Sequence, residues 1–357
     1  MRYILCILSL ACCFNGFGQE KFNRTDIVDL MLIYHGGVHR NEFKWDKEHF
    51  GPYVSYTDRQ NEQKWLFDGF LFLEFKDGKG RNYAPGYDKL NARKEEWIWL
   101  LNRHFEKDLV FDALNQVISE KKKEIKSPPF KHKVVMGLPS PISGQKDWGE
   151  LNGKKLDFSV KEDRLSAIQW YIDEFLRNFN TQKFKNLQLA GFYWVDESDK
   201  DGKGIVKEVG DYVRSKGFKF YWIPYWNASG NTNWESMGFD FAWQQPNHFF
   251  NSDIPDARLQ QTCDLANTYK MGLEMEFDDR ALNATKENKR DRLFAYIDAF
   301  KENGVFDQSS IAYYQGSATF YKLAKSTDEK DQHAFHALAD LIAKRKEKRV
   351  YKKLLKK

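Results

Sequence analysis

The sequence is poor in cysteine and histidine, and these shortages exclude several kinds of site. Three of its four cysteines (Cys6, Cys12 and Cys13) lie near the N-terminus, so only Cys263 would remain after removal of a leader. One cysteine cannot form an intramolecular disulfide, which excludes a disulfide scaffold. None of the eight histidines pairs at helical spacing with an intervening glutamate, so the sequence predicts no metal site.

Motifs that bind phosphate or activate serine are missing as well. No glycine-rich loop follows the first predicted strand, which counts against nucleotide binding. No Gly-x-Ser-x-Gly elbow is present, which counts against a serine hydrolase. After the N-terminal segment no apolar run is long enough to span a bilayer. We therefore expect a site that works without a cofactor, in a protein with no stable membrane insertion.

The N-terminus has the pattern of a secretory signal. One positive charge at Arg2 is followed by a short apolar run, and Gly16 and Gly18 give a small-x-small cleavage site before Gln19. Residues 1–18 are thus predicted to be removed, and the mature protein to be secreted or periplasmic. Acylation of Cys12 or Cys13, giving a cell-surface lipoprotein, is the alternative.

The net charge of +5 is concentrated at the C-terminus. Residues 344–357 carry nine Lys or Arg and one Glu, which leaves the rest of the chain with a net charge of −3. The body of the protein therefore lacks the basic surface expected of a nucleic-acid-binding protein. We expect a basic tail over 347–357 and, for the basic run that begins at Lys344, a solvated and frayed helix end.

Eight short apolar segments alternate with helical patterns along the chain. Such alternation predicts parallel βα units, and eight of them close into a (β/α)₈ barrel; an open doubly wound sheet is the alternative. We predict a single domain over 19–346, with loop insertions at the C-terminal face. The predicted strands are 27–34, 67–75, 133–139, 187–195, 218–225, 239–244, 272–279 and 311–316. The predicted helices are 93–105, 107–121, 165–179, 204–215, 254–269, 290–302 and 328–346.

The seventh predicted strand carries three acidic residues on one face. Leu273, Met275 and Phe277 alternate with the set Glu274, Glu276 and Asp278. This period of two is typical of a β-strand, so the acidic set faces away from the apolar one. On an edge strand the acids would face water, whereas in a closed barrel they would face the interior.

A second carboxylate at the end of the fourth strand completes a candidate pair. Glycoside cleavage needs one acid to protonate the leaving oxygen and a second carboxylate to attack or to activate water. Glu197 and Glu276 are the predicted pair, with Glu276 as nucleophile if the carboxyl groups lie roughly 5–5.5 Å apart; a gap of about 6.5–9.5 Å predicts inversion. Asp196 is the alternative acid on the fourth strand, depending on whether a bulge changes the strand's phase.

Further polar and aromatic residues follow the other strands and are candidates for contacts with a sugar. Glu274 either tunes the pKa of Glu276 or pairs with an arginine, and Asp278 either binds substrate hydroxyls or caps a loop. Indole rings stack on the apolar faces of sugars, while phenol, imidazole and amide groups bind hydroxyls. The predicted substrate-binding set is Tyr34, His35, Glu74, Tyr193, Trp194, Tyr225, Trp226, Gln245, Asn247, Glu274, Asp278 and Tyr314.

Several of these residues lie in motifs that resemble a known bacterial family. The ordered motifs are 66–70 (Leu-Phe-Asp-Gly-Phe), 170–173 (Trp-Tyr-Ile-Asp), 191–194 (Gly-Phe-Tyr-Trp), 222–226 (Trp-Ile-Pro-Tyr-Trp), 245–247 (Gln-Pro-Asn) and 274–278 (Glu-Met-Glu-Phe-Asp). Together they resemble the family filed as domain of unknown function 4855, which is similar to barrel glycoside hydrolases and common in Bacteroidetes. The resemblance implies carbohydrate chemistry.

The resulting expectation is a secreted, monomeric glycoside hydrolase acting on an oligosaccharide or polysaccharide. A non-catalytic glycan-binding barrel is the rival from another class, and a metal-assisted hydrolase is a third possibility. Carboxylates held in Arg or Lys bridges would favour the glycan-binding protein, because such acids only hold their neighbours in place.

Overall fold

The computed structural model describes residues 25–35, 44–128, 130–198 and 204–354, with the side chains of the last six omitted. Eight parallel strands close into a barrel in the order β1-β8-β7-β6-β5-β4-β3-β2. The (β/α)₈ prediction is confirmed, whereas the predicted signal over 1–18 lies outside the described residues. The strands are Asp29–Tyr34 (β1), Gly69–Leu73 (β2), His132–Leu138 (β3), Leu187–Trp194 (β4), Lys219–Trp222 (β5), Phe241–Gln244 (β6), Gly272–Glu276 (β7) and Ile311–Tyr314 (β8).

Helices connect and surround these strands. Seven of them lie where helical periodicity predicts them, and the additions are α1, α8 and α9. Their bounds are Lys47–Val54 (α1), Lys94–Arg103 (α2), Val110–Glu124 (α3), Lys161–Gln182 (α4), Val206–Ser215 (α5), Ala257–Thr268 (α6), Arg290–Glu302 (α7), Val305–Gln308 (α8), Thr319–Lys325 (α9) and Glu329–Leu354 (α10). Among the residues described, no helix is both long and apolar enough to cross a membrane.

Two apolar layers form the core, and strand alternation separates them. In β1, Leu30, Leu32 and Tyr34 point into the barrel, whereas Met31 and Ile33 pack between the strands and the surrounding helices. The same period places the acidic residues of β7 inside, because Leu273, Met275 and Phe277 belong to the outer layer. Among the residues described, the cavity that opens from the barrel interior lies at its C-terminal face.

Short two-stranded sheets and loops are inserted between the first four strands of the barrel. Arg81–Asn82 pairs with Leu90–Asn91 in the connection after β2, and Glu150–Leu151 pairs with Lys154–Lys155 after β3. Both connections leave the C-terminal ends of their strands, as predicted. The segment 44–66, which lacks a regular apolar period, folds into α1 and a hairpin of Ser55–Thr57 with Gln63–Trp65.

A buried ion cluster joins the start of the barrel to its last helix. The Arg345 guanidinium lies 2.9 Å from Asp29, and the Lys346 ammonium lies 2.7 Å from Asp68 and also contacts Asp29. All four side chains are buried, and Tyr313 donates a further hydrogen bond of 2.7 Å to Asp29. The expectation of a solvated helix end is therefore wrong for Arg345 and Lys346, because both acids would be costly to bury without a cation.

Candidate functional site

The cavity at the C-terminal ends of the strands contains the predicted carboxylate pair. Its volume of about 230 Å³ is smaller than the roughly 300–1,000 Å³ typical of pockets for drug-sized ligands. It has room for about one sugar ring. It is lined by Leu32, Tyr34, Phe75, Tyr87, Tyr193, Glu197, Gln245, Asn247, Phe250, Glu274, Glu276 and Tyr314.

A bulge in β4 decides which acid of that strand faces the cavity. The pairing of β4 with β3 shifts between Leu189 and Gly191, which inserts one extra residue on β4. Before the bulge odd-numbered Leu189 points outward, whereas after it odd-numbered Tyr193 points inward. The inward phase continues to Glu197, which lines the cavity.

Asp196 faces the other way and has a structural role. Its carboxylate accepts a hydrogen bond of 2.8 Å from Ser140, and its backbone carbonyl accepts one of 2.7 Å from the Trp222 indole. These contacts tie together the C-terminal ends of three adjacent strands. Of the two acids considered for β4, Glu197 is the one that lines the cavity.

Glu276, at the end of β7, is buried with only 1% of its surface exposed. The Tyr296 hydroxyl donates a hydrogen bond of 2.6 Å to its Oε2, and the Asn247 amide approaches Oε1 at 3.4 Å. Burial raises the pKa of Glu276 to about 7, and the charge of Glu197 acts in the same direction. Hydrogen bonds from Tyr296 and from the backbone of Asn247 and His248 oppose this rise. Glu276 is thus both costly to ionise and held in position by donors.

Two amide side chains connect the carboxylates. Gln245 donates a hydrogen bond of 3.0 Å from Nε2 to Glu197, and Asn247 donates one of 3.0 Å to the Oε1 of Gln245. Asn247 also reaches Glu276 and adopts a left-handed backbone with φ of 51°, which asparagine tolerates better than most residues. The loop after β6 therefore fixes the position of both acids relative to each other.

Glu274 lies one layer deeper than Glu276 on the same face of β7, and only 2% of its surface is exposed. Burial is the main cause that raises the pKa of Tyr193 well above its ordinary value, and the charges of Glu197 and Glu274 add to this rise. Tyr193 therefore stays a neutral phenol between β4 and β7. The lining of the cavity combines three carboxylates with the phenols of Tyr34, Tyr87, Tyr193 and Tyr314.

The structure brings together half of the predicted substrate-binding set. Six of these residues line the cavity: Tyr34, Tyr193, Gln245, Asn247, Glu274 and Tyr314.

Three others face away from it. His35 packs on the ring of His104 at 4.2 Å, and Trp194 packs on Phe220 at 6.2 Å in the outer layer. Glu74 is buried and accepts a hydrogen bond of 2.9 Å from the backbone of Phe75. These three positions have the outward phase of their strands, so their side chains do not line the cavity.

The remaining members of the set lie near the rim without lining the cavity. Tyr225 is half-buried after β5, and the Arg258 guanidinium lies over the Trp226 ring at 4.5 Å. Asp278 binds Arg280 at 2.6 Å and caps the short helical turn that follows. Of the two roles considered for Asp278, the structure shows the cap.

The sequence-based set omits several residues of the site. Phe75 and Tyr87 follow β2, Phe250 follows β6, and Tyr296 reaches Glu276 from α7. The inward phase of β2 is a signal for Phe75, whereas no pattern in the sequence connects a helical tyrosine with a strand carboxylate. Among the described residues, no group of three or more His, Cys, Asp or Glu is arranged to hold a metal ion.

Comparisons with known proteins give a family and a set of distant structures. The sequence model of a family described as "Domain of unknown function (DUF4855)" matches residues 29–340. A search of curated proteins finds no match. Among solved structures, three mutant tryptophan synthase alpha-subunits from the hyperthermophile Pyrococcus furiosus are similar. One has 10% identity and a TM-score of 0.40. The second has 9% and 0.39, and the third has 11% and 0.36. The alignments cover 88% of this chain and 97%, 97% and 96% of those chains, respectively.

Proposed function

The chain belongs to the DUF4855 family, and because that description carries no activity, we propose from the site itself that the protein is a glycoside hydrolase. One observation carries the proposal. Glu197 and Glu276 come from two strands separated by β5 and β6, yet they line one cavity and are linked by Gln245 and Asn247. Glycoside cleavage requires two carboxylates that face the same sugar. Here two carboxylates face one cavity at the C-terminal end of a (β/α)₈ barrel, where the active sites of such barrels lie.

Glu276 is the proposed nucleophile. A nucleophilic carboxylate must keep a fixed position against the anomeric carbon, and the hydrogen bonds from Tyr296 and Asn247 immobilise Glu276. The same donors stabilise its ionised form, which is the form that attacks.

Glu197 is the proposed acid/base. This residue must give a proton to the leaving oxygen and take one from water in the second step. It is half-buried, so it retains access to solvent, and the Gln245 amide orients its Oε1. Its negative charge raises the pKa of Glu276, so the two acids share a single proton, and the first step requires that proton on Glu197 with Glu276 ionised.

Hydrolysis of a panel of oligosaccharides and polysaccharides tests the proposal. Wild-type protein should release sugar from at least one glycan, and Glu197→Gln and Glu276→Gln should each lose activity by about a hundredfold or more. Glu302→Gln removes a solvent-exposed carboxyl on α7 and serves as the matched control. Parent-rate turnover by both site variants would refute the assignment, and binding without any cleavage would favour the glycan-binding alternative.

A glycosyl fluoride of the sugar released in that screen assigns the two roles. Fluoride leaves without a proton, so Glu197→Gln should still release one equivalent of it in the first turnover, whereas Glu276→Gln should not. The rate for the fluoride should rise with pH through about 7, because burial raises the pKa of Glu276 to that value and only the ionised form attacks. The opposite result for the two variants would exchange the roles of Glu197 and Glu276. NMR of the anomer that is formed first then shows whether the enzyme retains or inverts the configuration.

We also propose that the protein acts on its glycan outside the cytoplasm. The proposal depends on the N-terminal pattern of a charged residue, an apolar run and small residues before Gln19. N-terminal sequencing of protein recovered from the periplasm or medium of an expressing bacterium should give a chain that begins at Gln19. A chain that begins at Cys12 or Cys13 with bound lipid would show a lipoprotein instead.

A further inference from the structure

Two stacked aromatic rings form one wall of the cavity mouth. Phe75 and Tyr87 are nearly parallel, with an interplanar angle of 4° and ring centroids 4.4 Å apart. Phe75 is buried, whereas Tyr87 has 37% of its surface exposed, and both line the cavity. A large aromatic side chain that is exposed beside a cavity presents an apolar surface on which a flat ligand can stack.

The loop that carries Tyr87 holds it in place. Asn82 donates a hydrogen bond of 2.7 Å to the carbonyl of Asp88, so the two sides of the loop are joined across Tyr87. Arg81 likewise donates one of 2.7 Å to the carbonyl of Asn91. The turn immediately before Tyr87 uses Gly86 with φ of 89°, a conformation that favours glycine. A platform fixed in this way loses little entropy when a ligand stacks on it.

Tyr87 lies on the side of the cavity where Glu197 lies. Tyr87 stacks on Phe75, which follows β2, and only β3 separates β2 from β4, whereas β1 and β8 separate it from β7. Tyr87 and Glu197 therefore both lie on the half of the mouth formed by β2, β3 and β4. Glu197 is the proposed donor of a proton to the leaving group, so the leaving group must lie on this half as well.

We propose that Tyr87, supported by Phe75, binds the sugar on the leaving-group side of the scissile bond. The inference depends on the proposed function, because it takes Glu197 as the acid. The cavity has a volume of about 230 Å³ and accommodates about one ring, so a second ring of the same glycan must lie outside it. The substrate class is thus a glycan of two or more residues, with the ring before the cleaved bond in the cavity and the next ring stacked on Tyr87.

Kinetics with two leaving groups test this inference. With a disaccharide that the wild type cleaves, Tyr87→Ala should lower kcat/KM about fivefold or more, since one stacking contact is lost. With the glycosyl fluoride of the same first sugar the loss should be smaller, because fluoride has no ring to stack on Tyr87. Tyr87→Phe keeps the ring and should recover most of the kcat/KM for the disaccharide that Tyr87→Ala loses. Tyr269→Ala removes a comparably exposed tyrosine (42%) outside the cavity and is the control.

A binding measurement separates failure of the inference from failure of the proposed function. Saturation-transfer NMR is run on Glu276→Gln, with and without Tyr87→Ala, using cellobiose, maltose, lactose and chitobiose as probes. Loss of saturation at the second ring in the double variant, with the first ring unaffected, supports the platform. Equal saturation of both rings in the two proteins, or an equal loss of kcat/KM for disaccharide and fluoride, overturns the inference and leaves the hydrolase proposal intact. If none of the probes binds and no glycan is cleaved, both are overturned.

Discussion

Replacing Glu276 by glutamine should change the stability of the protein by an amount that depends on pH. Burial raises the pKa of this carboxyl from 4.5 to about 7, so the folded state binds its proton more tightly than the unfolded chain does. The free energy of unfolding therefore falls as the pH rises from about 4.5 to about 7. The difference between these two pKa values corresponds to roughly 3 kcal/mol. Glutamine cannot ionise, so the Glu276→Gln variant should not lose this part of the free energy of unfolding as the pH rises.

Equilibrium unfolding in urea, followed by tryptophan fluorescence, measures the effect. The stability of Glu276→Gln relative to the wild type should be about 2.5 kcal/mol more favourable at pH 8 than at pH 5. Hydrogen-bond changes caused by the amide are common to both pH values and cancel in this comparison. Glu302→Gln controls for removal of a carboxyl from the surface. If the stability of Glu276→Gln relative to the wild type were the same at both pH values, or lower at pH 8, burial would not disfavour the ionised form of Glu276 and the reasoning would be refuted.

Three further substitutions test other parts of the structure. Tyr296→Phe removes a donor that lowers the pKa of Glu276, so the pH at which activity on a glycosyl fluoride rises should move upward; an unchanged pH profile would contradict this. Lys346→Met leaves two buried aspartates with one cation fewer and should destabilise the fold by about 3–5 kcal/mol in urea unfolding; an unchanged stability would show that water solvates the cluster. Gly191→Ala would place a Cβ atom 1.9 Å from the carbonyl oxygen of Lys219, so its midpoint of thermal unfolding should fall by several degrees, and an unchanged midpoint would argue against this close approach.

The barrel could be predicted because each strand is a short apolar run between polar turns. The parts that could not be predicted are those whose order depends on distant contacts. Helix α1 contains Pro52 and has no regular apolar stripe, so the segment 44–66 has the pattern of a loop. Arg345 and Lys346 belong to a run of positive charge, and nothing near them in the sequence indicates burial. Their acidic partners lie more than 270 positions earlier in the chain.

The site was only partly accessible to sequence reasoning, for reasons of geometry. Alternation in β7 was enough to place Glu274 and Glu276 on one inward face. On β4 the choice between Asp196 and Glu197 depends on a bulge that changes no residue type, so the sequence left both open. Trp194 was expected to stack on a sugar because it is an indole near a strand end, yet its phase turns it outward.

The ion cluster of Asp29, Asp68, Arg345 and Lys346 has a consequence for biosynthesis. Both aspartates emerge from the ribosome early, and their counter-charges are made some 280–320 residues later. Until the last helix is complete, closing the strands would seal two uncompensated negative charges inside the protein. Closure of the barrel around Asp29 and Asp68 is therefore favoured only after Arg345 and Lys346 have been synthesised.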